Sequence, residues 1–225
     1  MGPHKTMHAI HPAYARLRHA ARRERRQLCR ALAIEADWRY HDGPEWAARY
    51  WVAFGDLMHD AHNDEHTSRA REQCSKRLAW RPLDSGQSER ARQLFRRLLA
   101  VLHPQVMPVA ASDRRAADWS KTLRAYRGGD LPALTALWHQ TRTSGPAWLP
   151  QAVVALRAEH DRLRAAREAA DRRLAELSQQ FPYTLRDKLD DADWIRRQRL
   201  AWRQVLAMSA PPRQRTAAAS HRQVS

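Results

Sequence analysis

Glycine is scarce in this chain, at seven among 225 residues. That scarcity argues against an α/β nucleotide-binding domain, whose glycine-rich turns bring backbone close to phosphate. Cysteine is scarcer still: Cys29 and Cys74 are too few for a disulfide-dense scaffold or a four-thiolate zinc site. No apolar run reaches the roughly 18 residues that would suggest a bilayer crossing, and the opening MGPHKTMHAIHPAY lacks the apolar core of a secretion signal. The expectation is a soluble chain in a reducing, cytoplasmic setting, with no membrane association. No phosphate cradle, serine-nucleophile motif or paired catalytic carboxylate pattern stands out, so the chain is expected to be no enzyme and to need no cofactor.

What is abundant is arginine, alanine and leucine, a composition that favours helices. Lys and Arg number 40 against 24 Asp and Glu, for a net charge of +16. The excess is unevenly placed. Residues 1–30 carry eight basic residues and one acid, residues 31–84 seven basic residues and ten acids, and residues 85–140 nine basic residues and four acids. The tail PPRQRTAAASHRQVS carries three arginines and no acid. With almost nothing to bury, it is expected to be disordered.

The apolar periodicity predicts helices over 14–40 and 45–80, with HDGP at His41 to Pro44 as the break and Pro44 early in the second helix. Trp46, Tyr50, Trp51, Phe54 and Leu57 recur at three- and four-residue steps, the spacing of a stripe that packs on another helix. Ser88 is a candidate cap for a helix bearing Leu94, Phe95, Leu98, Leu99 and Leu102, which ends at His103-Pro104. Ser112 is a candidate cap for the next helix, with Trp119, Leu123 and Tyr126, which Gly128-Gly129 closes before a short element around Leu131 to Trp138. From Leu156 through His160, Leu163, Arg167, Ala170, Leu174 and Leu177 the steps alternate four and three, a heptad seam in which Arg167 must snorkel. After FPYTLRDKLDDADW a last helix runs from Ile195 to Met208, with Asp193 as its candidate cap.

The stretch RQLFRRLLAVLHPQ, followed by DRRAADWSKTLRAYRGGDLPAL, resembles the central hairpin of a J domain, the co-chaperone module that stimulates ATP hydrolysis by seventy-kilodalton heat-shock chaperones. In that family a basic helix ends in a His-Pro-Asp loop. Onto it fall the basic Arg92, Arg96 and Arg97 and the loop residues His103 and Pro104, while Gln105 stands where the acid belongs. The second helix of the family hairpin packs back on the first and often ends in an Ala-Tyr pair, here Ala125-Tyr126. A looser resemblance over residues 45–205, from Tyr50 to Gly55 through the heptad helix, is to a bacterial subgroup of J-like proteins. The resemblance implies an all-α fold, a J-domain-like helical hairpin with N-terminal helices and a C-terminal coiled-coil-like helical hairpin. Along the chain this gives a basic arm or helix at 1–30, a helical region at 31–84, a degenerate J-like domain at 85–140, a coiled-coil-like hairpin at 151–208 and a basic tail at 209–225. It makes Arg92, Arg96, Arg97, His103, Pro104 and Gln105 candidate partner-binding residues toward a heat-shock chaperone or another protein. Aspartate presents a fixed charge and glutamine does not, so chaperone coupling is expected to be weak or absent.

Two other readings stay open. Arg16, Arg18, Arg22, Arg23, Arg25, Arg26 and Arg30 form a candidate arm for nucleic acid or another acidic surface, with Arg16, Arg22, Arg23, Arg25 and Arg26 as the candidate polyanion contacts. A solvated helix face explains them equally simply. The seam over 151–180 is a candidate for self-association. His59, His62 and His66 share one face of a helix with Asp60, Asp64 and Glu65 nearby, but no zinc signature accompanies them, and a polar face is the expectation rather than a metal site. Cys74 has no organised His or Asp partner in sequence and is expected to be no nucleophile.

Overall fold

The computed structural model describes residues 12–61, 85–107, 113–141 and 149–209. Among these residues the secondary structure is helical, without strands. The elements are α1 (Pro12–Asp37), a π-helical turn (Trp38–Asp42), α2 (Gly43–Ala61), α3 (Ser85–Leu102), α4 (Asp113–Arg127), α5 (Leu131–Thr141), α6 (Val153–Ser178), a 3-10 turn (Tyr183–Leu185) and α7 (Ala192–Ser209). They divide into two compact units. One contains α1, α3, α4, α5 and α6; the other contains α2, the 3-10 turn and α7.

The expected break at His41 to Pro44 is a correction: no coil intervenes, and the π turn leads directly into α2. In a regular α-helix the Pro44 ring would press on the carbonyl of Tyr40, four residues earlier. The wider π turn covers that position. The remainder of the predicted 45–80 helix, Cys74, Ser112 and the basic tail lie outside the described residues.

In the first unit α1 and α6 run in parallel. Tyr14 donates to the Pro150 carbonyl at 3.3 Å, Arg167 binds Glu24 at 2.8 Å, and Arg173 binds Glu35 at 3.0 Å, so contacts advance together along both helices. The heptad is the cause. Leu156, Leu163, Ala170 and Leu177, each seven residues apart, are all buried, and on α1 Leu28, Leu32 and Ala36 are buried. The seam that the sequence assigns to a hairpin over 151–208, or to a second copy, is therefore covered by α1. Arg167 does snorkel: its guanidinium reaches the buried Glu24 and Asp171 on its own helix, at 2.6 Å for the second. These hydrogen bonds, that to Glu24 foremost, raise its pKa above the ordinary arginine value.

The helix α3 buries Ala91, Leu94, Phe95, Leu98, Leu99 and Leu102, a single face at helical spacing. Its first residue is Ser85, so Ser88 lies in the first turn rather than at the cap. Phe95 stacks on Tyr126 of α4 with ring centroids 3.9 Å apart and leans on Trp119 at 5.8 Å. The helix α4 ends as the glycine pair predicts. Gly129 takes φ 66°, a left-handed conformation that costs a residue with a Cβ. The N–H groups of Gly129 and Asp130 donate to the carbonyls of Tyr126 and Ala125, the Schellman pattern. Asp130 then accepts from the Ala133 N–H at 2.9 Å and so starts α5, which buries Leu134 and Leu137 in the same core.

In the second unit the aromatic stripe of α2 finds partners. Tyr50 meets Phe181 at 5.1 Å, Trp46 meets Tyr183 at 6.1 Å, and Phe54, fully buried, meets Trp194 of α7 at 5.9 Å. Arg199 of α7 binds Asp56 and the Ala53 carbonyl, and Arg49 of α2 binds Asp190 and the Leu189 carbonyl. The cap of α7 is Asp191, whose carboxylate accepts the N–H groups of Asp193 and Trp194 at 2.8 and 2.9 Å. Asp193, the expected cap, stands instead in the first turn and pairs with Arg196.

Because Leu163 is buried by the chain's own α1, Leu163→Ala is expected to lower the unfolding free energy by about 2–5 kcal/mol, read from denaturant midpoints, without changing the mass measured by light scattering. A fall in mass on substitution would assign the seam to an intermolecular contact.

Candidate functional site

The hairpin of α3 and α4 brings together the residues that the sequence singles out, and it does so around a buried acid. Asp37, at the C-terminal end of α1, is 5% exposed. One of its oxygens accepts from the Tyr126 hydroxyl of α4. The other faces Arg96 at 3.4 Å and Arg92 at 3.8 Å, both on α3. A carboxylate taken out of water this far needs its charge and lone pairs answered, and here two guanidinium groups and a phenol answer them. The His41 ring packs edge-on against Tyr126 at 4.3 Å and closes that side. The third arginine, Arg97, lies over the Trp138 ring of α5 at 5.6 Å. Arg92 and Arg96, candidate partner-binding residues by sequence, thus have a structural partner inside the fold.

The loop after α3 is also engaged. The His103 N–H closes the helix on the Leu99 carbonyl at 3.1 Å, and the His103 carbonyl accepts from Val106 and Met107 at 3.0 Å each. Both of those side chains are buried. The Gln105 N–H donates to His103 Nδ1 at 3.1 Å, which leaves the ring's proton on Nε2. The Gln105 carbonyl accepts from Arg162 of α6 at 2.8 Å, and Arg162 is held in place by a two-pronged contact with Glu159 at 2.7 and 2.8 Å. The Gln105 side-chain oxygen is buried without a hydrogen bond to the described residues. Pro104 alone of the three is exposed.

Behind this loop is an open cleft of about 470 Å³. Its walls are Leu32, Ala36 and Tyr40 from α1 and the π turn, Phe95 and Leu99 from α3, Trp119 and Leu123 from α4, and the loop residues His103, Pro104 and Gln105. The Trp119 ring meets His103 edge-on at 4.6 Å. Glu35 is the acid of the cleft and is bracketed by Arg39 at 3.1 Å and Arg173 at 3.0 Å. Burial pushes the His103 pKa down to about 4, aided by the charge of Arg173 and opposed by that of Glu35. The imidazole is therefore neutral at physiological pH. The cleft can accept an apolar or aromatic group against the partly exposed Tyr40, Trp119 and Leu123, with its charge gathered at Glu35, Arg39 and Arg173.

The candidate polyanion residues do not share this cleft. Arg16, Arg22, Arg23 and Arg26 are exposed on α1. Arg25 is the exception. It points inward, donates to the Ala100 carbonyl at 2.8 Å and touches the Met107 sulfur, and burial lowers its pKa. Cys29 on the same helix is half-buried, and desolvation pushes its thiol up to about 11, far from the range of a reactive thiolate. His62 and His66 lie outside the described residues, as does the side chain of His59. Among the described residues no three His, Cys, Asp or Glu side chains are grouped to hold a metal ion, and no helix is long and apolar enough to cross a membrane. Asp37, Glu24, Glu35, Arg162 and Arg173 are residues that sequence reasoning missed. The only signal for Asp37 was an acid at the end of the apolar stretch ALAIEAD.

No protein-family model, curated protein or solved structure matches the chain.

Two measurements check the site. Tyr126→Phe keeps the stacked ring but withdraws a hydrogen bond from Asp37, so it is expected to cost about 1–3 kcal/mol in urea unfolding. His103 binds a proton more weakly folded than unfolded, so protonation favours the unfolded chain. Its contribution is absent above about pH 6.5 and becomes destabilising as pH falls toward 4, by up to about 3 kcal/mol. Unfolding curves of the wild type and His103→Gln between these pH values are expected to differ progressively, with the wild type losing more stability.

Proposed function

We propose that the chain is a non-enzymatic protein-interaction adaptor of J-like design, in which the helical hairpin binds a partner without driving ATP hydrolysis by a heat-shock chaperone. The observation that carries this is the internal engagement of the hairpin's own recognition residues. Arg92 and Arg96 face Asp37, and the Gln105 carbonyl is bound by Arg162. A chaperone that required those groups would have to draw them away from the buried Asp37, which is costly for the carboxylate left without its mates, above all for the partly buried Arg92. The missing loop acid acts in the same direction, since Gln105 offers no charge. The contact surface this reading leaves to a protein partner is the cleft behind the loop, where the partly exposed Tyr40, Trp119 and Leu123 supply apolar area for a side chain of a bound segment.

The expected result is that the full chain leaves the steady-state ATPase rate of a seventy-kilodalton heat-shock chaperone at its unstimulated value. Gln105→Asp is expected to raise that rate, and more so with Arg162→Ala. A carboxylate here restores the negative charge of the loop, and the second change removes Arg162, a cation near enough to hold that carboxylate as it holds the loop carbonyl. Strong stimulation by the unaltered chain would overturn the adaptor reading, and absence of any gain in either variant would remove the loop from it.

A further inference from the structure

We infer that the outward face of α1 is a docking surface for the phosphate backbone of nucleic acid. Arg16, Arg22, Arg23, Arg26 and Arg30 are all exposed. At about 100° per residue they fall within an arc of about 120°, and at about 1.5 Å per residue they span about 21 Å of helix. None of the five makes a hydrogen bond or ion pair with another described residue. Six arginines elsewhere, Arg49, Arg96, Arg162, Arg167, Arg173 and Arg199, are matched by carboxylates, and the exposed arginines without one, such as Arg114, Arg124 and Arg172, are spread over α4 and α6. The only acid between Pro12 and Ile34 is Glu24, which is buried and bound to Arg167. Neighbouring guanidinium groups one turn apart repel one another, so the helix keeps this face at a cost that its opposite, buried face offsets.

The geometry matches a polyanion of regular spacing. With one phosphate per about 3.4 Å of each strand, a stripe about 21 Å long faces about six nucleotides of a strand. The support is rigid, because Ala21, Leu28 and Leu32 on the other side of the helix are buried. No large apolar side chain of α1 is exposed. That separates this face from a membrane-surface helix, which buries an apolar face in the lipid beside its basic one. The exposed His19 and Gln27 lie beside these arginines, and the contacts inferred are to phosphate oxygens, which carry no sequence information themselves.

The test is fluorescence anisotropy of the full chain with a labelled mixed-sequence single-stranded RNA, titrated at several NaCl concentrations. Five phosphate contacts on a single strand give a slope of log K against log salt of about −3.5, and Arg22→Gln/Arg23→Gln/Arg26→Gln is expected to reduce it to about −1.4 with at least tenfold weaker binding. Circular dichroism of this variant is expected to be unchanged, because the three side chains make no described contact. A control of equal charge change, Arg114→Gln/Arg124→Gln/Arg172→Gln, is expected to retain the wild-type slope. An equal loss in the control would assign the binding to net charge and overturn the docking face. So would no salt-dependent binding, or a preference for phosphatidylserine vesicles that the α1 variant abolishes while RNA binding persists.

Discussion

The first unit is organised by one buried carboxylate. Asp37 is reached by Tyr126 from α4 and by Arg92 and Arg96 from α3, so three helices meet at a group that none of them can abandon. Apolar packing tolerates many small shifts, but a desolvated charge does not, because each lost partner leaves an unanswered charge in a medium that solvates it poorly. The register of the hairpin against α1 is therefore set by polar geometry, and the Phe95–Tyr126 stack beside it fills the space that this register leaves.

The same arrangement explains what could be read along the chain and what could not. Periodic apolar positions are a local property, and Leu156, Leu163, Ala170 and Leu177 announce a buried seam in the sequence alone. Their partner is not local. The α1 face that covers them is interleaved with arginines, and its polar links, Glu24 to Arg167 and Glu35 to Arg173, join residues far apart in sequence. The glycine stop at 128–129 was legible because only glycine accepts that backbone conformation cheaply. The cap of α7 was missed by two residues because Asp190, Asp191 and Asp193 are chemically alike, and only backbone geometry selects Asp191.

The candidate site shows the limit more sharply. His103, Pro104 and Gln105 were found by their order in sequence, but what ties the loop to α6 is a hydrogen bond from the Arg162 side chain to the main-chain carbonyl of Gln105. A carbonyl has no residue type, so no pattern of side chains reveals that it is occupied. Arg92 and Arg25 make the complementary point: residues that appear as surface charge in a basic helix are turned inward once a buried carboxylate or an orphan carbonyl is within reach. What separates them from Arg22 and Arg26 is their angle on the helix, which is a property of the assembled core.

The parallel pairing of α1 with α6 also has a consequence during synthesis. From the end of α1 at Asp37 to the end of α6 at Ser178 the ribosome must add the whole hairpin and its flanks. At about 5–20 residues per second this interval lasts roughly 7–28 s. Throughout it Leu28 and Leu32 lack the helix that will cover them, while the guanidinium groups on the opposite face keep nascent chains apart by charge. A basic helix that is unpartnered outward is, in this period, also a solubility device for a helix that is still unpartnered inward.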